Sequence, residues 1–221
     1  MRQCWARPLG GCSSMSGEHG VGDAMFDAKM LEVSGIVPMG AGTKTVAKKR
    51  LVANVLCELH NNGLSDLDNE VATLHRHIRT ARERNTSAAV SVNGPRLERW
   101  CLKLLTNILA AGWVGSMPRM PGAGIVDQVF GYKPIEQPSG LYGVTDYSGT
   151  IPADSVYYAV VTPAGDAGHI VGLVVCLSGM LLVLSTSKVD LRPALNGNGD
   201  FGYFSLTSAV THRSSMSKRE L

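Results

Sequence analysis

Four side chains of metal-binding type stand at spacings that could close into one clip. Cys57 and His60 have two residues between them within Leu56-Cys57-Glu58-Leu59-His60-Asn61-Asn62-Gly63-Leu64-Ser65, and Cys4 and Cys12 are the candidate thiolates upstream. A structural zinc ion takes four Cys or His ligands in a tetrahedron, so one pair from the chain's start and one from Cys57–His60 supply the full number. The seven residues between Cys4 and Cys12 are more than the two to four usual in a knuckle. The competing reading is four unrelated, small buried residues. Between the two pairs lies Ser16-Gly17-Glu18-His19, an acid beside an imidazole. An imidazole titrates near neutrality and can move a proton, while a carboxylate can orient it or bind a cation. The plainer alternative for Glu18–His19 is a polar pair in an exposed turn.

The elements that must position these groups are partly legible. Residues 1–22 are rich in Gly and Ser, with Pro8, Gly10 and Gly11 between two cysteines and no periodicity. Such a segment buries too little apolar surface to order itself, and a metal would fix it. Met30 to Val37 and Thr43 to Leu56 carry β-branched residues on either side of Pro38-Met39-Gly40-Ala41-Gly42, which predicts a hairpin. Ser65 reads as a helix N-cap, and Leu67, Val71, Leu74 and Ile78 recur at helical spacing, so a helix is expected to about Arg84. Its outer face would carry His75, Arg76, His77, Arg79, Arg82 and Arg84, as a solvated surface or a phosphate contact. Pro95 opens a second helix whose apolar stripe runs through Leu97, Trp100, Cys101, Leu104, Leu105, Ile108 and Leu109.

From Gly115 to Gly149 the many Gly and Pro residues predict loops or a linker. Strands are expected over Ser155 to Thr162, His169 to Leu177 and Met180 to Ser185, the last two as a hairpin across Ser178-Gly179. Cys176 reads as a small core residue, His169 as structural or exposed, and Ser214 to Leu221 as a mobile tail.

Length and composition set the outer limits. A chain of 221 residues with 44% hydrophobic and 18% charged residues can bury a sizeable core without disulfides, which excludes wholesale disorder. A net charge of +3 neither demands nor excludes a polyanionic partner. Five cysteines, an odd number, with no secretory leader, suggest a reducing, cytoplasmic setting. The run Ile170 to Leu184 is too short to span a bilayer, so no membrane association is expected.

Cys-Trp, then Gly-Gly-Cys-Ser, Ser-x-Glu-His, a hairpin, and Leu-Cys-x-x-His-Asn-x-x-Leu-Ser-x-Leu-Asp together resemble the HNH endonuclease family over about Cys4 to Val71, a third of the chain. The resemblance implies a ββα-metal fold on a zinc-bearing, treble-clef-like scaffold. It implies His19 as general base, Glu18 as ion ligand or orienter, and Asn61 as ion ligand, with Asn62 as its substitute. Asn54 is the asparagine that could answer to the middle residue of the motif. Structural Zn²⁺ on Cys4, Cys12, Cys57 and His60 and catalytic Mg²⁺ or Mn²⁺ on Glu18 and Asn61 would occupy separate places, soft donors for one and oxygens for the other.

The expected architecture is α+β: a ββα-metal module over 1–88 with the first long helix, then a helix and an antiparallel β region over 89–221. The expected function is metal-dependent hydrolysis of phosphodiester bonds in nucleic acid, DNA in the first instance. The alternative is a catalytically inactive zinc-stabilised module that binds nucleic acid or protein.

Overall fold

A computed structural model describes residues 3–19, 23–87, 90–114, 118–144, 155–162, 170–187 and 212–218; of residues 19, 23, 144 and 212–218 it describes the backbone alone. The fold is α+β, with helices and antiparallel sheets. In chain order the elements are β1 (Met15–His19), β2 (Met30–Ser34), β3 (Lys44–Ala47), β4 (Val52–Cys57), α1 (Glu58–Asn62), α2 (Ser65–Glu83), α3 (Gly94–Ala110), α4 (Ala123–Phe130), β5 (Gly140–Val144), β6 (Ser155–Val161), β7 (Gly172–Leu177), β8 (Met180–Ser185) and β9 (His212–Lys218).

The expected hairpin forms, but it is shorter than its β-branched text. β2 and β3 pair antiparallel from Met30↔Ala47 to Val33↔Lys44. The second run then breaks at a 3-10 turn over Lys48–Arg50, where Lys48 Nζ donates to the Phe26 carbonyl at 2.8 Å. Val52–Cys57 therefore leaves the hairpin and pairs with β1 in a separate two-stranded sheet. The hairpin itself joins a seven-stranded sheet in the order β3-β2-β9-β6-β7-β8-β5. The terminal stretch expected to be mobile supplies β9, which bridges β2 and β6.

Between the two sheets α3 forms the spine of the core. Of the stripe read from the sequence, Leu97, Trp100, Cys101, Leu104, Leu105 and Ile108 are buried and Leu109 is half-buried, and Lys103 and Asn107 are buried with them. Asn93 caps it, its Oδ1 accepting from the Arg96 amide at 3.0 Å, and Pro95 sits in the first turn. α3 packs on α2, α4, β4 and the β5, β7 and β8 strands, so one hydrophobic core runs from Cys4 to Leu184. Cys101 and Cys176 are buried. No helix among the described residues is long and apolar enough to cross a membrane.

Three local readings change, and one falls outside the described residues. Ser65 is the first helical residue of α2 rather than its cap, and its hydroxyl donates to the Asn62 carbonyl. His75 lies inside, its ring edge-on to Phe26 at 5.7 Å, because it shares the face of Val71 and Leu74. The supposed linker contains α4 and β5: Val126 and Val129 turn one face of a short helix inward through text that Gly122 and Gly124 disguise. His169 lies outside the described residues.

Close packing also explains a glycine. In Gly172, a Cβ would drive into the Leu184 carbonyl of the adjoining strand, so β7 and β8 approach this closely only without a side chain there.

Candidate metal centre and the buried ion network

Cys4, Cys12, Cys57 and His60 converge. Their ligand atoms all lie within 4.8 Å of one another, and Cys4, Cys57 and His60 are buried while Cys12 faces solvent. The local chain explains how a seven-residue gap closes. After Cys4, a 3-10 turn over Arg7–Leu9 is followed by Gly10 and Gly11, both with positive φ (78° and 64°), and these reverse the chain so that Cys12 returns toward Cys4. Backbone bonds fasten this loop to β4: the Trp5 amide donates to the Val55 carbonyl at 2.9 Å and the Glu58 amide to the Ser14 carbonyl at 2.8 Å. Cys57 ends β4, and His60 follows in the first turn of α1.

The His60 Nδ1 atom is 3.1 Å from Cys57 Sγ, 3.4 Å from Cys4 Sγ and 3.8 Å from Cys12 Sγ. One ring nitrogen has a single proton or a single lone pair, so hydrogen bonds do not account for three sulfurs gathered on it. A shared cation does. With metal–sulfur and metal–nitrogen bonds of about 2.3 and 2.0 Å at a tetrahedral angle, nitrogen and sulfur stand about 3.5 Å apart, close to the distances found. The donor set therefore fits a metal ion such as zinc.

The charges point the same way. Burial acts to raise the Cys57 thiol, but backbone amides of His60 and Ser13 and the neighbouring Cys4 and Ser13 side chains outweigh it and lower it to about 6. Burial and the adjacent Cys57 push Cys4 up to about 12. Without a cation the pair holds one thiolate and one thiol; a divalent ion stabilises both sulfurs ionised.

An aromatic wall covers the imidazole. Phe130, the last residue of α4, meets the His60 ring edge-on at 5.6 Å and the Trp5 ring at 6.0 Å, and Tyr132 stacks on Phe130.

Glu18 occupies a different environment. β1 and β4 match Ser16 to Leu56 and Glu18 to Ala53, so β4 carries one extra residue at this bulge. A bulge re-aims neighbouring side chains, and Glu18 is buried among α3 residues. Its Oε1 accepts from Lys103 Nζ at 2.7 Å and from Asn107 Nδ2 at 3.3 Å. Lys103 Nζ also donates to Asp68 Oδ2 at 2.6 Å, Trp100 Nε1 to Asp68 Oδ1 at 3.2 Å, and Trp5 Nε1 to Asn107 Oδ1 at 2.9 Å. The side chains of Lys103 and Glu18 are 2% and 7% exposed, so this is a desolvated ion network linking β1, α2 and α3. Burial raises the Glu18 carboxyl above its usual range, against the pull of Lys103. Burial would lower the Lys103 ammonium, but Glu18 and Asp68 together hold it above its usual range.

The predicted residues thus separate. Cys4, Cys12, Cys57 and His60 meet; Glu18 is held by Lys103 and Asn107, where it supports β1 instead of facing an open ion site. His19 ends β1 opposite Val52, its side chain being outside the described residues, and Asn61, half-buried, follows His60 in α1. Asn54 is exposed on β4 and Asn62 exposed on α1. Sequence reading passed over Lys103, Asn107 and Phe130. A lysine and an asparagine four apart within an apolar helical stripe were the available signal for the first two. Compared with known protein families, curated proteins and solved structures, the chain matches none.

Proposed function

We propose that the chain is a zinc-stabilised, metal-dependent nuclease of the HNH kind, hydrolysing phosphodiester bonds of nucleic acid. One observation carries the reading: the Cys3His cluster stands where β4 passes into α1, and β1, which ends in Glu18–His19, pairs along that same β4. Two strands and a helix thus meet at a metal-binding cluster, which supports the reading, although β1 and β4 are not joined as a hairpin and the β2–β3 hairpin belongs to the other sheet. Zinc is the proposed occupant because three sulfurs and one imidazole nitrogen suit a borderline-soft, tetrahedral ion.

In this reading the His19 imidazole takes a proton from water as the water oxygen bonds to phosphorus, and the bond from phosphorus to the departing oxygen breaks. A Mg²⁺ or Mn²⁺ ion bound there would offset the charge growing on the phosphate oxygens. Asn61 offers an amide oxygen to such an ion. Glu18 acts as a positioning residue: its bond to Lys103 fixes the end of β1 and so the backbone that carries His19. DNA is the first expected substrate.

Purified protein with Mg²⁺ or Mn²⁺ should nick plasmid DNA, and His19→Ala should not. Equal nicking by both removes His19 from the mechanism. The burial of Glu18 favours a second reading, a non-catalytic zinc module that binds nucleic acid or protein, since the described residues hold no second cluster of metal-binding side chains. Zinc-loaded protein that binds DNA but cleaves neither DNA nor RNA with any of several divalent ions would establish it.

A further inference from the structure

Beside the strand that pairs with Glu18 and His19 lies a cavity of about 540 Å³, within the range of small-molecule binding pockets. Val52 and Ala53, the register partners of His19 and Glu18, form part of its wall, as does the bulge residue Asn54. Met39, Trp113 and Met120 supply apolar surface. Arg50, Asn54 and Gln3 supply the polar side chains; all three are exposed, and none makes a side-chain hydrogen bond among the described residues. Among the described residues no carboxylate lines the cavity, and Lys49, also exposed, neighbours Arg50 on the same 3-10 turn.

We infer that this cavity receives one nucleotide of the strand to be cut, its base turned out of the stack against Met39, Met120 and Trp113, and its phosphate held by Arg50. The inference deepens the nuclease reading above and rests on it for the strand's identity. Arg, Asn and Gln are the side chains whose donors and acceptors match base edges, and guanidinium matches phosphate geometry. A flat, weakly polar base suits a cavity with apolar walls and few polar groups, as in the pockets that receive an extruded base. The described lining residues include no carboxylate to repel an anionic ligand. Residues paired with Val52 and Ala53 stand about 5 Å from them across the antiparallel ladder, so a nucleotide seated here brings its neighbouring phosphate toward the end of β1.

The test uses the full-length His19→Ala protein, so that binding is read apart from cleavage, and follows the methyl resonances of Met39 and Met120. Each of the four deoxynucleoside 5′-monophosphates is added, with deoxyribose 5-phosphate and inorganic phosphate as baseless controls. At least one nucleotide should shift both methyls with a Kd of about 1 mM or tighter, and the baseless controls should leave them unmoved. Arg50→Ala, a change at an exposed position, should weaken binding about tenfold, or about 1.4 kcal/mol, and a single-stranded tetranucleotide should bind more tightly than the mononucleotide. Absence of methyl shifts, equal shifts from deoxyribose 5-phosphate, or wild-type affinity in Arg50→Ala overturns the inference. A tetranucleotide that binds more weakly than the free nucleotide also overturns it, because the occupant is then not part of a strand. Nucleotide binding in a protein whose wild-type form cleaves nothing leaves the cavity as proposed and removes the nuclease reading instead.

Discussion

Lys103→Met would remove the cation that stands between Glu18 and Asp68 while keeping most of the side-chain volume. The carboxylate of Glu18, 7% exposed and 2.7 Å from Lys103 Nζ, would be left in the core with the Asn107 amide as its remaining donor among the described residues. Truncating one side of a buried pair costs about 3–5 kcal/mol. A second route gives a similar ceiling: Glu18 can escape by taking a proton, and protonating an ordinary glutamate at pH 7.5 costs about 4.4 kcal/mol, from about 1.4 kcal/mol for each of roughly three pH units. The sign follows from linkage. In the variant the folded-state carboxyl lies above its unfolded value, so its stability contribution is full below the unfolded value and is lost as pH rises through the folded one. The deficit should therefore shrink by about 2.7 kcal/mol between pH 7.5 and 5.5. Urea unfolding of zinc-loaded wild type and variant at both pH values measures it, and adding Glu18→Gln to Lys103→Met should restore much of the loss at pH 7.5. A deficit below about 1 kcal/mol at pH 7.5, or one that does not shrink on acidification, refutes the claim that Glu18 and Lys103 form a desolvated pair.

Gly172→Ala should lower stability by about 1–3 kcal/mol, since the new methyl meets the Leu184 carbonyl; a melting temperature equal to wild type would contradict the close strand approach. In metal-free protein, thiolate absorbance should show one sulfur ionising near pH 6 that disappears in Cys57→Ser. Because that group's folded value is lowered from 9.0, its contribution to stability is present above pH 9 and fades as pH falls through about 6. Removing the metal with a chelator should expose the chain to chymotrypsin at Trp5 and Leu9, since few backbone bonds among the described residues otherwise hold this loop; an unchanged digestion pattern would show that the loop stands without the ion.

Much of the α+β outline could be read from periodicity. The stripe of α3 and the strands over Ser155–Val161 and Met180–Ser185 declare themselves because each repeats one chemical choice at its own period. The four cluster residues were also legible, since Cys and His two residues apart have the spacing of a metal clip. Their closure was not: it depends on two left-handed glycines, a conformation that Gly10-Gly11 permits and no pattern requires. The pairing of β1 with β4 was hidden because Lys48–Arg50 interrupts one β-branched run, and no local rule says which sheet the remainder joins. The burial of Glu18 was hidden for a related reason. A carboxylate looks the same in sequence whether it faces an ion or a lysine, and its partner Lys103 lies on a helix far along the chain. α4, with the Phe130 that covers His60, was lost among Gly and Pro residues that mark its ends.

The central claim is that one metal ion, drawn by three sulfurs and one imidazole, ties the start of the chain to the β4–α1 junction. Elemental analysis of purified full-length protein beside Cys57→Ser, with a circular dichroism spectrum of each, tests it most directly. The account predicts about one zinc per wild-type chain, and in the variant loss of zinc together with a reduced folded signal, as the front loop is released from the β4–α1 junction. Wild type free of zinc yet fully folded, or Cys57→Ser retaining zinc at the wild-type level, would contradict it.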